Sequence, residues 1–215
     1  MANVTPLSDL STTSIVDTVL STRPPGAPTV VMLLHGRGGA AEPFVSWIQT
    51  VVPTAWLIAP QAASHSWYPY RFTVPRADNQ PYLDESLRAI GDLVSYVTSR
   101  GYRHKNIILA GFSQGACLAS EYVKQSEQSY GGLVAMSGGL IGTDDDVAHG
   151  EVYDYGHIPI YIGCDEADPH IPWSRVEQTA AYFTSRAAAV QCRRYRGIGH
   201  QIHPDAITFL QQLVV

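Results

Sequence analysis

Short unbroken apolar runs of four or five residues alternate with longer stretches whose apolar residues recur every three or four positions. That alternation narrows the possible folds more than any other property of the chain. A strand buried on both faces reads as a continuous apolar run, and such strands occur where helices cover both sides of a mostly parallel sheet. Val30-Val31-Met32-Leu33-Leu34 is such a run and ends in a glycine-rich turn at 36–39. Further strands are predicted at 56–59, closed by Pro60, and at 106–110, 133–136, 158–162 and 191–195. The intervening stretches predict helices: 84–100 through Leu87, Ile90, Val94 and Val97, a segment at 116–124, one through Val176, Ala180, Phe183 and Ala187, and a last one after Pro204 through Ile207, Leu210 and Leu213. The implied class is α/β, with a mostly parallel central sheet and helices on both faces, in one domain spanning 1–215.

Two segments depart from the alternation. Residues 61–82 hold Trp67, Tyr68, Tyr70, Phe72 and Tyr82 between Pro69, Pro75 and Pro81 without a sustained period. An excursion of that length is often functional. The stretch 142–157, with Asp144-Asp145-Asp146, reads as a polar loop.

Composition excludes several classes. With 45% hydrophobic and 15% charged residues, the chain is neither a long disordered segment nor a coiled coil. Its net charge is −5, and its two lysines, Lys105 and Lys124, form no basic cluster, so nucleic acid is not an expected partner. Cys117, Cys164 and Cys192 are widely spaced and odd in number, which argues against a disulfide scaffold and for a reducing compartment. Residues 1–20 lack the basic start and apolar core of a targeting peptide, and no run approaches the ~20 residues that span a bilayer. A cytoplasmic location without integral membrane segments is the expectation.

The chemistry concentrates at Gly111-Phe112-Ser113-Gln114-Gly115, between a predicted strand and a predicted helix. A Gly-x-Ser-x-Gly pentapeptide in that setting is a nucleophile elbow. The serine occupies a strained turn, and the flanking glycines remove Cβ atoms that would collide. The helix that starts there aims free N–H groups at developing negative charge. A serine hydroxyl needs a base, and a base of this type needs a carboxylate to orient it. His200, in Gly197-Ile198-Gly199-His200 before the last helix, stands where the base belongs; His203 competes and could instead serve as a cap. The acid should follow a strand between the two. Asp168 in Asp165-Glu166-Ala167-Asp168-Pro169 is the choice and Asp165 the competitor; Asp165 and Glu166 otherwise read as solvated loop charges. Gly36 to Gly39 can supply one oxyanion N–H and Gln114 the other. The turn lacks the Lys-Ser/Thr of a phosphate loop. His35 reads as structural, His65, His104, His149 and His157 as loop residues, and Cys117 as packing beneath the elbow.

Taken together, His35-Gly36-Arg37-Gly38, Gly111-Phe112-Ser113-Gln114-Gly115-Ala116, Asp168-Pro169-His170-Ile171-Pro172 and Gly197-Ile198-Gly199-His200 resemble the four blocks of the carboxylesterase/phospholipase-type α/β-hydrolases. That family includes acyl-protein thioesterases and small bacterial esterases, and the likeness covers roughly 30–213. It implies catalytic roles for Ser113, Asp168 and His200, and oxyanion N–H groups at Arg37 and Gln114. Arg37 differs from the apolar residue common in the thioesterases, and Trp67-Tyr68-Pro69-Tyr70-Arg71-Phe72 looks more like the small bacterial esterases. The expected activity is hydrolysis of carboxylic esters with small or medium acyl groups, without metal or organic cofactor. Trp67, Tyr68 and Phe72 are expected to wall the substrate pocket, and the exposed aromatics would also suit a homodimer. Acyl thioesters or lysophospholipids are alternative substrates, followed by lactone or C–C hydrolysis; the dienelactone hydrolases resemble this chain but carry Cys at the elbow. A non-catalytic binding module of the same fold, or a metal site at His200, His203 and 144–146, are the rivals from other classes.

Overall fold

The computed structural model describes residues 3–7, 14–148 and 153–214. Its eight strands are β1 (Thr5–Pro6), β2 (Val16–Thr22), β3 (Val30–Leu34), β4 (Trp56–Ala62), β5 (Ile107–Phe112), β6 (Gly132–Met136), β7 (Pro159–Asp165) and β8 (Ala189–Tyr195). They form one sheet in the order β1-β2-β4-β3-β5-β6-β7-β8. From β4 through β8 every pairing is parallel, while β1 and β2 add an antiparallel edge. Among the described residues, six α-helices connect and cover it: α1 (Ala41–Val51), α2 (Tyr82–Thr98), α3 (Gln114–Ser126), α4 (Asp144–Ala148), α5 (Trp173–Thr184) and α6 (Pro204–Leu213).

The pleat of β3 shows why a continuous apolar run is needed. Val30, Met32 and Leu34 point into one core with Leu83, Ile90 and Val97 of α2, Leu118 and Val123 of α3, and Val176 and Phe183 of α5. Val31 and Leu33 point into the opposite core, against Val45 and Ile48 of α1 and Phe209 and Leu210 of α6. A sheet sandwiched in this way has no polar face, so period-2 alternation is absent from its central strands.

Several expectations shift. Pro60 does not close its strand: the parallel ladder to β3 ends at Met32↔Ile58, and β4 runs on to Ala62 against β2 alone. A proline is tolerable where one side of the strand requires no donor. The helix at α1 was not anticipated, nor was the antiparallel edge. Ala187 falls outside α5 in a left-handed turn at φ 61°. Residues 144–148 are a short helix and not loop, with Asp146 Oδ2 accepting from the Thr143 N–H (2.7 Å) and Oγ1–H (2.8 Å). His149 and part of the 1–20 stretch lie outside the described residues. No helix among the described residues is long and apolar enough to cross a membrane.

Candidate active site

Ser113 sits between the end of β5 and the first turn of α3 with φ 55° and ψ −118°, a backbone conformation strongly disfavoured for an L-residue. Its N–H is held by Met136 O of β6 at 2.9 Å. The two glycines of the elbow are required for different reasons. A Cβ at Gly111 would lie 2.6 Å from Ala116 N and closer still to the Gly115 carbonyl, blocking the tight turn itself. A Cβ at Gly115 would lie 2.6 Å from His35 O and closer to the Leu34 carbonyl, so Gly115 permits α3 to rest against β3.

Three distant side chains converge there. The Ser113 hydroxyl lies 2.8 Å from His200 Nε2, and His200 Nδ1 lies 2.7 Å from Asp168 Oδ2. The Asp168 side chain is fully buried and the His200 side chain 19% exposed, so the row runs from core to cleft. Burial pushes the Asp168 carboxyl up, but hydrogen bonds from His200 and from the His170 and Ile171 N–H groups outweigh it and hold the group below the usual carboxylate range. An ionised Asp168 accepts only, so the proton belongs on Nδ1 and the Nε2 lone pair faces the serine. The histidine loop is tied down from two sides. Asp165 Oδ2 accepts from the Ile198 (2.6 Å) and Gly199 (3.1 Å) N–H groups, and the Ser137 hydroxyl donates to Gln201 O at 3.0 Å. Phe112 and His170 pack on the His200 ring, with centroids 4.9 and 4.8 Å away.

The turn after β3 approaches the nucleophile closely: a Cβ on Gly36 would be 3.2 Å from that of Ser113. Gly38, at φ +74°, donates its N–H to His65 O at 2.8 Å. The Arg37 and Gln114 N–H groups have no protein acceptor among the described residues. Their side chains, in contrast, are both engaged with the aromatic excursion. The Arg37 guanidinium donates to Tyr68 O (2.9 Å), Pro69 O (2.6 Å) and Tyr70 O (2.7 Å). Gln114 Nε2 donates to Tyr68 O at 2.8 Å, and its Oε1 accepts from the Trp67 N–H at 3.1 Å. Between this wall and the triad opens a cleft of about 520 Å³, lined among others by Tyr68, Tyr70, Phe72, Cys117 and Ile171.

Tyr68 and Phe72 therefore line the cleft, and Trp67 does not. Its ring is fully buried, its indole N–H donates to His35 O at 2.8 Å, and its carbonyl accepts from the Ser86 hydroxyl, so it is a strut behind the turn that follows β3. Asp165 and Glu166 are not solvated charges. Asp165 is 1% exposed, and amide hydrogen bonds, foremost from Ala167, hold its carboxyl low; Glu166 pairs with Arg194 and Arg196. His203 caps α6, accepting from the Asp205 N–H. His35 accepts the Ala62 N–H on Nε2 and donates from Nδ1 to Gly36 O, and burial lowers its basicity. Burial pushes the Cys117 thiol up to about 12, which leaves it no thiolate to rival Ser113. Among the described residues no three His, Cys, Asp or Glu side chains converge as metal ligands. Tyr70 and Arg71, inside the same 67–72 segment, also line the cleft; His170 lines it too and carried no signal of its own within the Asp168 motif.

The sequence model of the Phospholipase/Carboxylesterase family matches residues 17–214. The chain belongs to the phospholipase/carboxylesterase family. Its sheet and helix arrangement is that of the α/β-hydrolase fold. A phospholipase/carboxylesterase structure from Dyadobacter fermentans is 36% identical over 95% of this chain and 98% of that one, with a TM-score of 0.86. The Bacillus cereus carboxylesterase, at 16% identity and TM-score 0.72 over 90% and 91% of the two chains, shares the fold. Among curated family relatives, acyl-protein thioesterase 1 homolog 1 of Dictyostelium discoideum is 26% identical over 69% of this chain and 66% of that protein. Acyl-protein thioesterase 1 of Kluyveromyces lactis is 28% identical over 61% and 59%. The matched region thus spans less than two thirds of those thioesterases' own lengths.

Proposed function

We propose that this family member hydrolyses carboxylic esters of small or medium acyl groups through a Ser113 acyl-enzyme. The observation that carries the reading is the unbroken row Ser113 Oγ–His200 Nε2, His200 Nδ1–Asp168 Oδ2, at 2.8 and 2.7 Å. As Ser113 attacks the carbonyl carbon, its proton passes to His200 Nε2, and Asp168 stabilises the imidazolium through Nδ1. The Arg37 and Gln114 N–H groups hold the carbonyl oxygen as it becomes an oxyanion; a single donor of this kind is worth about 3–4 kcal/mol in the transition state. Collapse breaks the ester C–O bond, and the leaving alkoxide takes the proton from Nε2. Water then gives a proton to His200 and its oxygen to the acyl carbon, and the second collapse releases the acid and restores the Ser113 hydroxyl. Tyr68 and Phe72 wall the cleft for the organic part of the substrate, and its volume lies within the range of small-molecule sites.

A panel of p-nitrophenyl esters from two to twelve carbons, run beside acyl thioesters and lactones, tests the reading. Ser113→Ala should lower turnover by on the order of 10⁶ and abolish covalent labelling by a fluorophosphonate. Retained esterase activity in that variant would remove the proposal. The thioesterase names of the curated relatives support including thioesters, and a thioester preference would move the assignment within the same chemistry.

A further inference from the structure

The cleft that holds Ser113 is lined by twelve residues, among them Arg37, Arg71, His170 and His200, and by no aspartate or glutamate. The chain as a whole has 19 acidic against 14 basic residues, so a lining of this sign runs against its composition. The acid of the row, Asp168, stays behind His200 with no exposed side-chain surface. Arg37 is fixed on three carbonyl oxygens, and neutral acceptors leave its full charge in place. Arg71 differs. Arg71 is an exposed residue of the cleft lining, and its guanidinium forms no hydrogen bond or ion pair among the described residues. Its backbone, however, is held by the fully buried Asn79, whose Oδ1 accepts the Tyr70 N–H (2.9 Å) and whose Nδ2 donates to Arg71 O (3.2 Å). One step further on, Phe72 O accepts from the Gly142 N–H at 2.7 Å. An ordered backbone thus carries a cation with its donors uncommitted beside a nucleophile.

We infer that the cleft selects esters bearing an anionic group, with Arg71 as the residue that determines this specificity. The inference rests on the esterase reading above and narrows its substrate class. A guanidinium matches a carboxylate or phosphate oxygen pair in two parallel hydrogen bonds, and the low charge density of the remaining aromatic wall does not compete for it. In a cleft partly screened from water, such a pair contributes more than the same pair on an open surface.

Matched substrates test it: p-nitrophenyl butyrate against p-nitrophenyl hemisuccinate for an acyl-borne charge, and the butyrate of methyl 4-hydroxybenzoate against the butyrate of 4-hydroxybenzoate for a charge on the leaving group. A butyrate of 4-hydroxyphenyl phosphate separates phosphate from carboxylate. Each anionic-to-neutral ratio of kcat/KM is compared between the protein and its Arg71→Gln variant, so that differences in leaving-group reactivity cancel. For at least one anionic member the ratio should fall about five- to tenfold in Arg71→Gln, mainly through KM, recover partly in Arg71→Lys, and decline with added NaCl in the unaltered protein. Ratios that are equal in both proteins and insensitive to salt would overturn the inference while leaving the esterase reading intact. If no ester in the set is hydrolysed, the esterase reading falls and takes the inference with it.

Discussion

Adding one methyl group at Gly115 should damage this protein twice, and adding the same group at Gly91 should strengthen it. At Gly115 the new Cβ would stand 2.6 Å from His35 O and nearer still to Leu34 O, about 1 Å inside the 3.4 Å of ordinary contact, and both obstacles are backbone. Neither carbonyl can rotate aside, since Leu34 belongs to the parallel ladder with β5 and His35 O accepts the Trp67 indole N–H. The start of α3 must therefore retreat from β3. Overpacking of that kind costs about 1–3 kcal/mol or more, and at ~2–4 °C per kcal/mol for a domain of this size the melting temperature should drop by roughly 5–10 °C. The retreat also parts the Gln114 N–H from that of Arg37 in the turn after β3, the two groups proposed to hold the oxyanion together. Misplacement by ~1 Å typically costs on the order of 10²-fold in rate. Gly91, in the middle of α2, offers the contrast: its nearest neighbours are side-chain atoms of Tyr122 at 3.8 and 3.9 Å. Gly91→Ala removes the helical penalty of glycine, about 1 kcal/mol, and should raise the melting temperature by ~2–4 °C with unaltered turnover. Differential scanning calorimetry and p-nitrophenyl butyrate kinetics on both variants decide the matter. A Gly115→Ala protein that melts normally and retains most of its rate would refute the reasoning about the elbow, and a destabilised Gly91→Ala would refute the packing read around α2.

Asp168→Asn keeps an oxygen for the His170 and Ile171 amides but removes the charge that fixes the His200 tautomer; kcat should fall by about 10⁴ with little change in melting temperature, and a loss under tenfold would contradict the assignment. The carboxyls of Asp146, Asp165 and Asp168 lie below their ordinary range in the folded state, so each stabilises the fold above the unfolded carboxyl range near ~4 and loses that effect as pH falls through its folded value. The urea midpoint should accordingly hold from pH 7 to about 5 and drop below about 4, with a shallower drop in Asp165→Asn; an acid limb identical in both proteins would show that Asp165 does not hold the loop. The Tyr68 hydroxyl is buried beside the Cys117 thiol without a well-formed hydrogen bond. Tyr68→Phe should leave the melting temperature unchanged or raise it, and a fall worth more than about 1 kcal/mol would reveal a bond the geometry lacks.

What the sequence disclosed follows from how locally each feature is determined. The elbow was legible because its strand, strained serine, glycines and helix are consecutive, and β3 and β5 through β7 were legible because burial on both faces leaves an apolar run with no ambiguity of face. By contrast β2, Val16-Asp17-Thr18-Val19-Leu20-Ser21-Thr22, mixes buried and exposed positions at the sheet edge and contains a register shift between Val16 and Thr18, so neither period survives in it. Helix α1 opens with Pro43 in its first turn and carries Trp47 exposed, which blurs its apolar stripe. Asp165 was misread because its partners, Ile198 and Gly199, lie more than thirty residues downstream, and an aspartate just after a strand looks alike whether it meets water or amides. Trp67 was misread for a related reason: an aromatic in a proline-rich excursion shows no direction until the indole N–H is seen to reach His35.

On the proposed mechanism, these long-range hydrogen bonds also explain how a weak set of groups becomes reactive. Arg37 and Gln114, whose backbone N–H groups are the proposed oxyanion donors, both hydrogen-bond through their side chains to the backbone of 67–70, so those donors and the cleft wall are one mechanical unit. On the other side, Asp165 and Ser137 hold the histidine loop to the ends of β7 and β6, the strands beyond the elbow. His200, Ser113 and the Arg37 and Gln114 N–H groups are therefore fixed to neighbouring strand ends of one sheet, whose core resists displacement. Preorganised dipoles need no reorientation when charge appears, and that saving is where most of the acceleration in such sites arises. On the proposed mechanism the specificity of the cleft is free to vary at Arg71, Tyr70 and Phe72 in its lining, while the reactivity depends on the Arg37 and Gln114 backbone and on Asp168, Asp165 and Ser137, which position His200 against Ser113.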